Sequence, residues 1–172
     1  MFGLTPLGTF HTAISLIAVV AGFVALARHR EISTASRSGS AFFWGTVITC
    51  LTGFGIFQHG GFGNPHILGI VELIVLGVAL AAERRAAFGR ASRYVRTVGY
   101  SLALFLHFIP ATVETLTRLP AGAPYLASPE DPKAQPIIGV FFVLFLLGAT
   151  LQVLRLLKAS VAVDLDRGDQ RL

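Results

Sequence analysis

The sequence predicts an all-α fold: an integral membrane bundle of five transmembrane helices, with the N-terminus outside and the C-terminus in the cytoplasm. Two features of the composition point to a membrane protein. Only 13% of the 172 residues are charged and 53% are hydrophobic, giving a mean hydropathy of +0.70. Soluble chains of this length carry roughly 25% charged residues. The charges are also clustered, leaving long uncharged runs that a soluble surface would not tolerate. A third feature, the placement of Lys and Arg, sets the orientation.

A bilayer core of about 30 Å needs roughly 20 mostly apolar residues at about 1.5 Å each. Span one is Leu7 to Ala27, stopped by Arg28-His29-Arg30-Glu31. Its positive charges follow the apolar run and none precedes it, so it reads as a retained helix rather than a cleaved signal. Span two is Ala41 to Phe57, closed by the loop from Gln58 to Pro65, with His59 inside it. Pro65 suits the start of span three, His66 to Ala82, which stops at Glu83-Arg84-Arg85. Span four runs from about Val95 to Leu116, and span five from Pro136 to Leu157. Helices are required throughout, because lipid offers a strand edge no hydrogen-bonding partner. Between spans four and five, Pro120, Pro124, Pro129 and Pro132 predict an irregular loop. Residues 1–160 form one transmembrane domain and 161–172 a polar cytoplasmic tail.

Twelve Lys and Arg cluster around the connections between spans one and two and between three and four, and at the end of span five and beyond; only Arg118 and Lys133 fall on the other side. The positive-inside rule places the twelve in the cytoplasm. The pI of about 10.1 then needs no nucleic acid. Anionic headgroups of the lipid bilayer are partner enough. The lone Cys50 excludes an internal disulfide and a cysteine-rich metal site. It also has no ionisable neighbour in sequence and no Gly-x-Ser-x-Gly elbow occurs, which argues against a hydrolase. No 20-to-50-residue repeat is visible, nor the mirrored halves of an inverted-repeat transporter.

Ionisable residues inside a span are costly and raise a functional question by default. His11, Glu72, His107 and Glu114 lie within the spans, and His66 borders the short outer loop. All of them fall in the outer half. His107 and Glu114 share a helical stripe with Tyr100, Ala103, Ala111 and Arg118. His11 shares one with Ser15, Ala18 and Gly22, and Thr46, Thr49 and Gly53 form a similar stripe on span two. Such small residues let transmembrane helices approach closely. Each polar residue also has a plain structural explanation. Glu114 pairs in the favourable order with Arg118 four residues on. His107 works as a neutral core histidine, and His29, His59 and His66 as ordinary boundary residues. Glu72 is the exception, because its own helix offers no basic residue within one turn. Pro110 frees the carbonyl of Leu106 beside His107, which makes either a polar site or an ordinary kink.

The run His11-Thr-Ala-Ile-Ser-Leu-Ile-Ala-Val-Val-Ala-Gly22, then Ser38-Gly39-Ser40, then Phe62-Gly63-Asn64-Pro65-His66, resembles a family of small polytopic bacterial membrane proteins defined only as a domain of unknown function. The likeness covers mainly spans one to three, and His107-Phe-Ile-Pro-Ala-Thr-Val-Glu114 resembles some members. It implies a histidine-bearing bundle in a bacterial inner membrane and names no reaction. Members carry a His-Arg pair shortly before span two, where this chain has Arg37, and a second before span four, which is absent here. No inner-side histidine site is therefore carried over.

Three functions follow as expectations. The first is a redox-type protein holding haem or a transition-metal ion through His11, His107 and His66, supported by Glu72, Glu114 and Arg118. Carboxylates beside the histidines suit a non-haem ion better than haem. The second is a proton-coupled transporter or channel for a small solute, with Glu72, Glu114 and His107 as the relay. The third is an accessory subunit of a larger membrane complex. Span five offers only Thr150 and Gln152, and so faces lipid, a partner subunit or another copy of the chain.

Overall fold

The structure is a computed structural model that describes residues 5–57 and 61–169, with 161–169 described as backbone only. Among the described residues it is all helical. The helices are α1 (Pro6–His29), α2 (Arg37–Gly53), α3 (Asn64–Arg85), α4 (Ser92–Leu106), α5 (Phe108–Leu116) and α6 (Ala134–Asp169). A short 3₁₀ turn, Gly89–Ala91, precedes α4. His59 lies outside the described residues.

Local chemistry explains the boundaries. Thr5 caps α1 by accepting from Gly8 N at 3.0 Å, with Pro6 in the first turn. Ser36 caps α2 by accepting from Gly39 N at 3.0 Å. Gly39 is obligatory there, since a Cβ would meet the Ser33 carbonyl oxygen at 2.0 Å.

Three of the five expected spans appear as single helices long and apolar enough to cross a membrane: α1, α3 and α6. The other two differ from expectation. α2 starts at Arg37, ends at Gly53, and has 17 residues. At 1.5 Å per residue that is about 25 Å, short of a core of about 30 Å. Residues 54–57, expected to continue it, turn away beside Gly53 and Gly55. Span four is divided into α4 and α5, with 15 and 9 residues. The cause is Pro110, which has no N–H for the Leu106 carbonyl. His107 keeps helical dihedrals (φ −60°, ψ −29°) and its carbonyl accepts from Ala111 N at 3.2 Å. The chain therefore continues in the same sense through the break.

Packing follows the small residues. A Cβ on Gly45 would lie 2.9 Å from Ala18 Cβ, which fixes how closely α1 and α2 approach. Gly99 meets Ala79 in the same way and joins α4 to α3. Around these contacts Ala18, Ala25, Phe42, Leu76, Ala79, Tyr100 and Ala103 form the buried core. α6 is attached to the α4–α5 rod by stacked rings, Phe108 on Phe141 at 4.6 Å and Phe105 on Phe145 at 5.6 Å. Much of its other apolar surface is exposed, including Val140, Leu144, Leu147 and Leu151. Gln152 does more than expected: it accepts from Ser101 at 2.8 Å and donates to the Arg30 carbonyl at 3.2 Å.

Candidate functional site

α1, α2, α3 and the α4–α5 junction enclose a cavity of about 240 Å³. Its polar lining comes from His11 and Ser15 on α1, Thr49 and Cys50 on α2, Glu72 on α3, and His107 and Glu114 on the α4–α5 rod. The small-residue stripes make room for it: Gly8, Gly53 and Gly69 line the wall where side chains would fill it. A Cβ on Gly53 would press on the His11 ring at 3.2 Å.

At the buried end, His107 Nδ1 lies 2.7 Å from Glu72 Oε1. It is also 3.2 Å from the Ala103 carbonyl oxygen. Two oxygens facing one ring nitrogen assign a hydrogen to Nδ1, and Nε2 offers a lone pair when the ring is neutral. The N–H points closer to the carbonyl, so Glu72 Oε1 receives no well-aligned hydrogen bond despite the short contact. Cys50 Sγ lies 3.5 Å from the other carboxyl oxygen. His107 Nε2 is buried and has no partner among the described residues.

His11 shows the same polarity. Its Nδ1 is 3.1 Å from Thr52 Oγ1. That hydroxyl already donates to the Ile48 carbonyl at 2.8 Å, so its oxygen accepts from His11 Nδ1–H. A hydrogen on Nδ1 leaves Nε2 as the lone-pair nitrogen when the ring is neutral.

His66 is different. Its Nδ1 accepts from Gly63 N at 3.2 Å and closes the first turn of α3. Its ring lies between Phe57 and Phe62, with centroids 5.1 and 5.0 Å away. An accepting Nδ1 puts the hydrogen on Nε2, so the ring presents no lone pair to a metal. His66 does not line the cavity. The three histidines expected as one ligand set therefore separate into a pair and a helix cap. Among the described residues, no three His, Cys, Asp or Glu side chains are grouped to hold a metal ion.

Glu114 lies at the rim with its side chain 53% exposed, paired through its carboxylate with Arg118, which also donates to the Glu114 carbonyl at 2.8 Å. The local pair expected from the i, i+4 spacing is present. Three polar residues in and around the site, Cys50, Thr52 and Glu83, have partners that the sequence did not signal. Cys50 and Thr52 acquire partners only through packing between helices. Glu83, which reads as a span terminator, accepts from Ser33 Oγ, Thr34 N, Thr34 Oγ1 and Tyr100 OH. Its spacing of eleven residues from Glu72, three helical turns, was the available clue.

No protein-family model, curated protein or solved structure matches this chain.

Proposed function

We propose that the chain is a multi-pass inner-membrane protein whose cavity holds a transition-metal ion in a redox role, with His107 as the principal ligand. The observation that carries this reading is the arrangement Glu72 carboxyl, His107 Nδ1–H, and a buried Nε2 without a partner. Metal-binding histidines characteristically give their second ring nitrogen to a carboxylate or carbonyl, which fixes the tautomer and raises basicity. His107 faces both. His11, which lines the same cavity, is the second ligand. Two protein ligands leave coordination positions open for small exogenous ones. At about 240 Å³ the cavity is smaller than the ~300–1,000 Å³ of pockets for drug-sized ligands. It suits an ion with small ligands better than a porphyrin.

The test is elemental analysis and a redox-difference visible spectrum of the detergent-purified protein. Bound metal approaching one per chain is expected, falling to background in His107→Ala and His11→Ala. A Soret band lost in His107→Ala would place haem iron on the same ligand. Wild-type protein that holds no metal, as isolated or after loading with iron, copper or zinc, ends this reading. The 2.7 Å contact at Glu72, together with Glu114 at the rim, favours a proton relay coupled to a small solute as the second reading.

We also infer five membrane crossings with the N-terminus outside, resting on the twelve-to-two split of Lys and Arg. A cysteine placed at Ala121 should react with an impermeant thiol reagent from outside, and one at Arg90 should not.

A further inference from the structure

At the arginine-rich end of the bundle a second cavity, of about 200 Å³, lies between the end of α1, the start of α4 and the middle of α6. Arg30, Arg93, Arg96 and Arg155 line it, with Glu31 as the only carboxylate among its lining residues. Like charges brought this close repel unless an anion lies among them.

The internal contacts neutralise only part of that charge. Arg96 is paired with Glu31 at 2.8 Å. Its Nε is buried and has no hydrogen-bond partner among the described residues. Arg93 is held by neutral groups: the Leu156 carbonyl at 2.6 Å, Tyr94 OH at 3.0 Å, and Ser160 Oγ. Arg30 enters the wall because α1 ends there in a left-handed residue, φ 61°, whose N–H returns to the Leu26 carbonyl at 2.8 Å. Its own carbonyl is anchored by Gln152. The pocket is therefore built by tertiary contacts from three separate segments, and its guanidinium groups outnumber its one carboxylate.

We propose that this pocket binds a phosphoryl group, presented by an anionic phospholipid headgroup or by free phosphate. Planar guanidinium forks match phosphate oxygens in bidentate fashion, and several forks converging on one small volume select a tetrahedral oxyanion over a lone carboxylate. The surroundings favour the lipid source. Leu156 lines the pocket, and the neighbouring Leu154 and Leu157 on α6 are exposed, so an acyl chain has an apolar surface directly beside the charged one. Occupation would fix α6 to α1 and α4.

The experiment uses the full chain in detergent, measured by native mass spectrometry and thermal unfolding. The probes are phosphatidylglycerol, phosphatidylcholine and inorganic phosphate, each added alone. Arg155→Gln and Arg30→Gln are the variants, since neither side chain makes a hydrogen bond among the described residues. Arg84→Gln, outside the pocket, is the control. Phosphatidylglycerol should be retained and raise the melting temperature, whereas phosphatidylcholine should do neither. Each pocket variant should weaken retention about fivefold, the value of one basic residue facing anionic lipid. Equal protection by inorganic phosphate, lost in the same variants, makes free phosphate the ligand of the same site. Retention unchanged in both pocket variants, or reduced equally by Arg84→Gln, overturns the site. So does the absence of any response to all three probes.

Discussion

Glu72 and Glu83 lie eleven residues apart on α3, about 16 Å along its axis and on nearly the same face. Their surroundings differ. Glu83 receives four donors from Ser33, Thr34 and Tyr100, with both carboxylate oxygens used. It ties the α1–α2 turn to α3 and α4 and borders neither cavity. Glu72 has one short, poorly aligned contact with His107 and one weak donor in Cys50, beside a cavity and an unpartnered imidazole nitrogen. A saturated polar network specifies structure, while an under-satisfied one beside empty volume retains capacity for a ligand.

Matched substitutions separate the two roles. Glu83→Gln should produce the larger loss of stability. An amide has one accepting oxygen where the carboxylate has two, so at least one of the four donors loses its acceptor. Unmet buried donors cost about 1–3 kcal/mol each, which predicts a loss of about 2–4 kcal/mol. Thermal or denaturant unfolding in detergent measures it, and metal content per folded chain should not change. Glu72→Gln should show the opposite pattern. The amide oxygen can still accept from His107 Nδ1–H, so stability falls by only about 1 kcal/mol. Metal affinity should fall tenfold or more, as when a carboxylate supporting a ligand histidine is removed. If Glu72→Gln is the more destabilising change and leaves binding intact, the cavity cluster is structural and the contrast is void.

Much of the frame was legible in the sequence, because periodicity and hydropathy are local. The small-residue stripe through Ala18 and Gly22 predicted close helix contact and marks it in the structure, where Gly45 of α2 faces Ala18. The break near Pro110 followed from its missing N–H. Glu72 drew attention because it had no partner on its own helix, and its partner is indeed on another. What was not legible depends on tertiary placement. Nothing in a sequence shows whether a histidine's Nδ1 donates or accepts, and that distinction separates His11 and His107 from His66. The position of α2, four residues earlier than expected, and the division of span four into α4 and α5 were missed for a related reason. Hydropathy counts apolar residues, but glycine and proline decide where a helix stops.

A third carboxylate tests the comparison at its weak extreme. Asp131 lies in the loop between α5 and α6 and accepts from Ala127 N and Lys133 N, each at 3.0 Å. Like Glu83 it is satisfied, but its hydrogen bonds are open to solvent. The N–H of Ala127, and then that of Lys133, hold its carboxyl below the ordinary value of 3.8. A carboxyl whose folded pKa is lowered contributes stability that is complete above the unfolded value and is lost as pH falls through the folded one. The loop contacts should therefore hold at pH 5 and above and weaken only below about pH 4, the unperturbed aspartate range. Water competes for both N–H groups, so Asp131→Ala should shift the melting temperature far less than Glu83→Gln, and its effect should shrink as pH falls below the ordinary aspartate range. Amide exchange at Ala127 and Lys133 reads the same contacts directly. Faster exchange confined to acid supports the assignment, whereas exchange independent of pH, after correction for intrinsic rates, would show that the loop is held by other contacts. One such contact is already visible, the bond from Leu126 N to the Leu116 carbonyl at 3.0 Å.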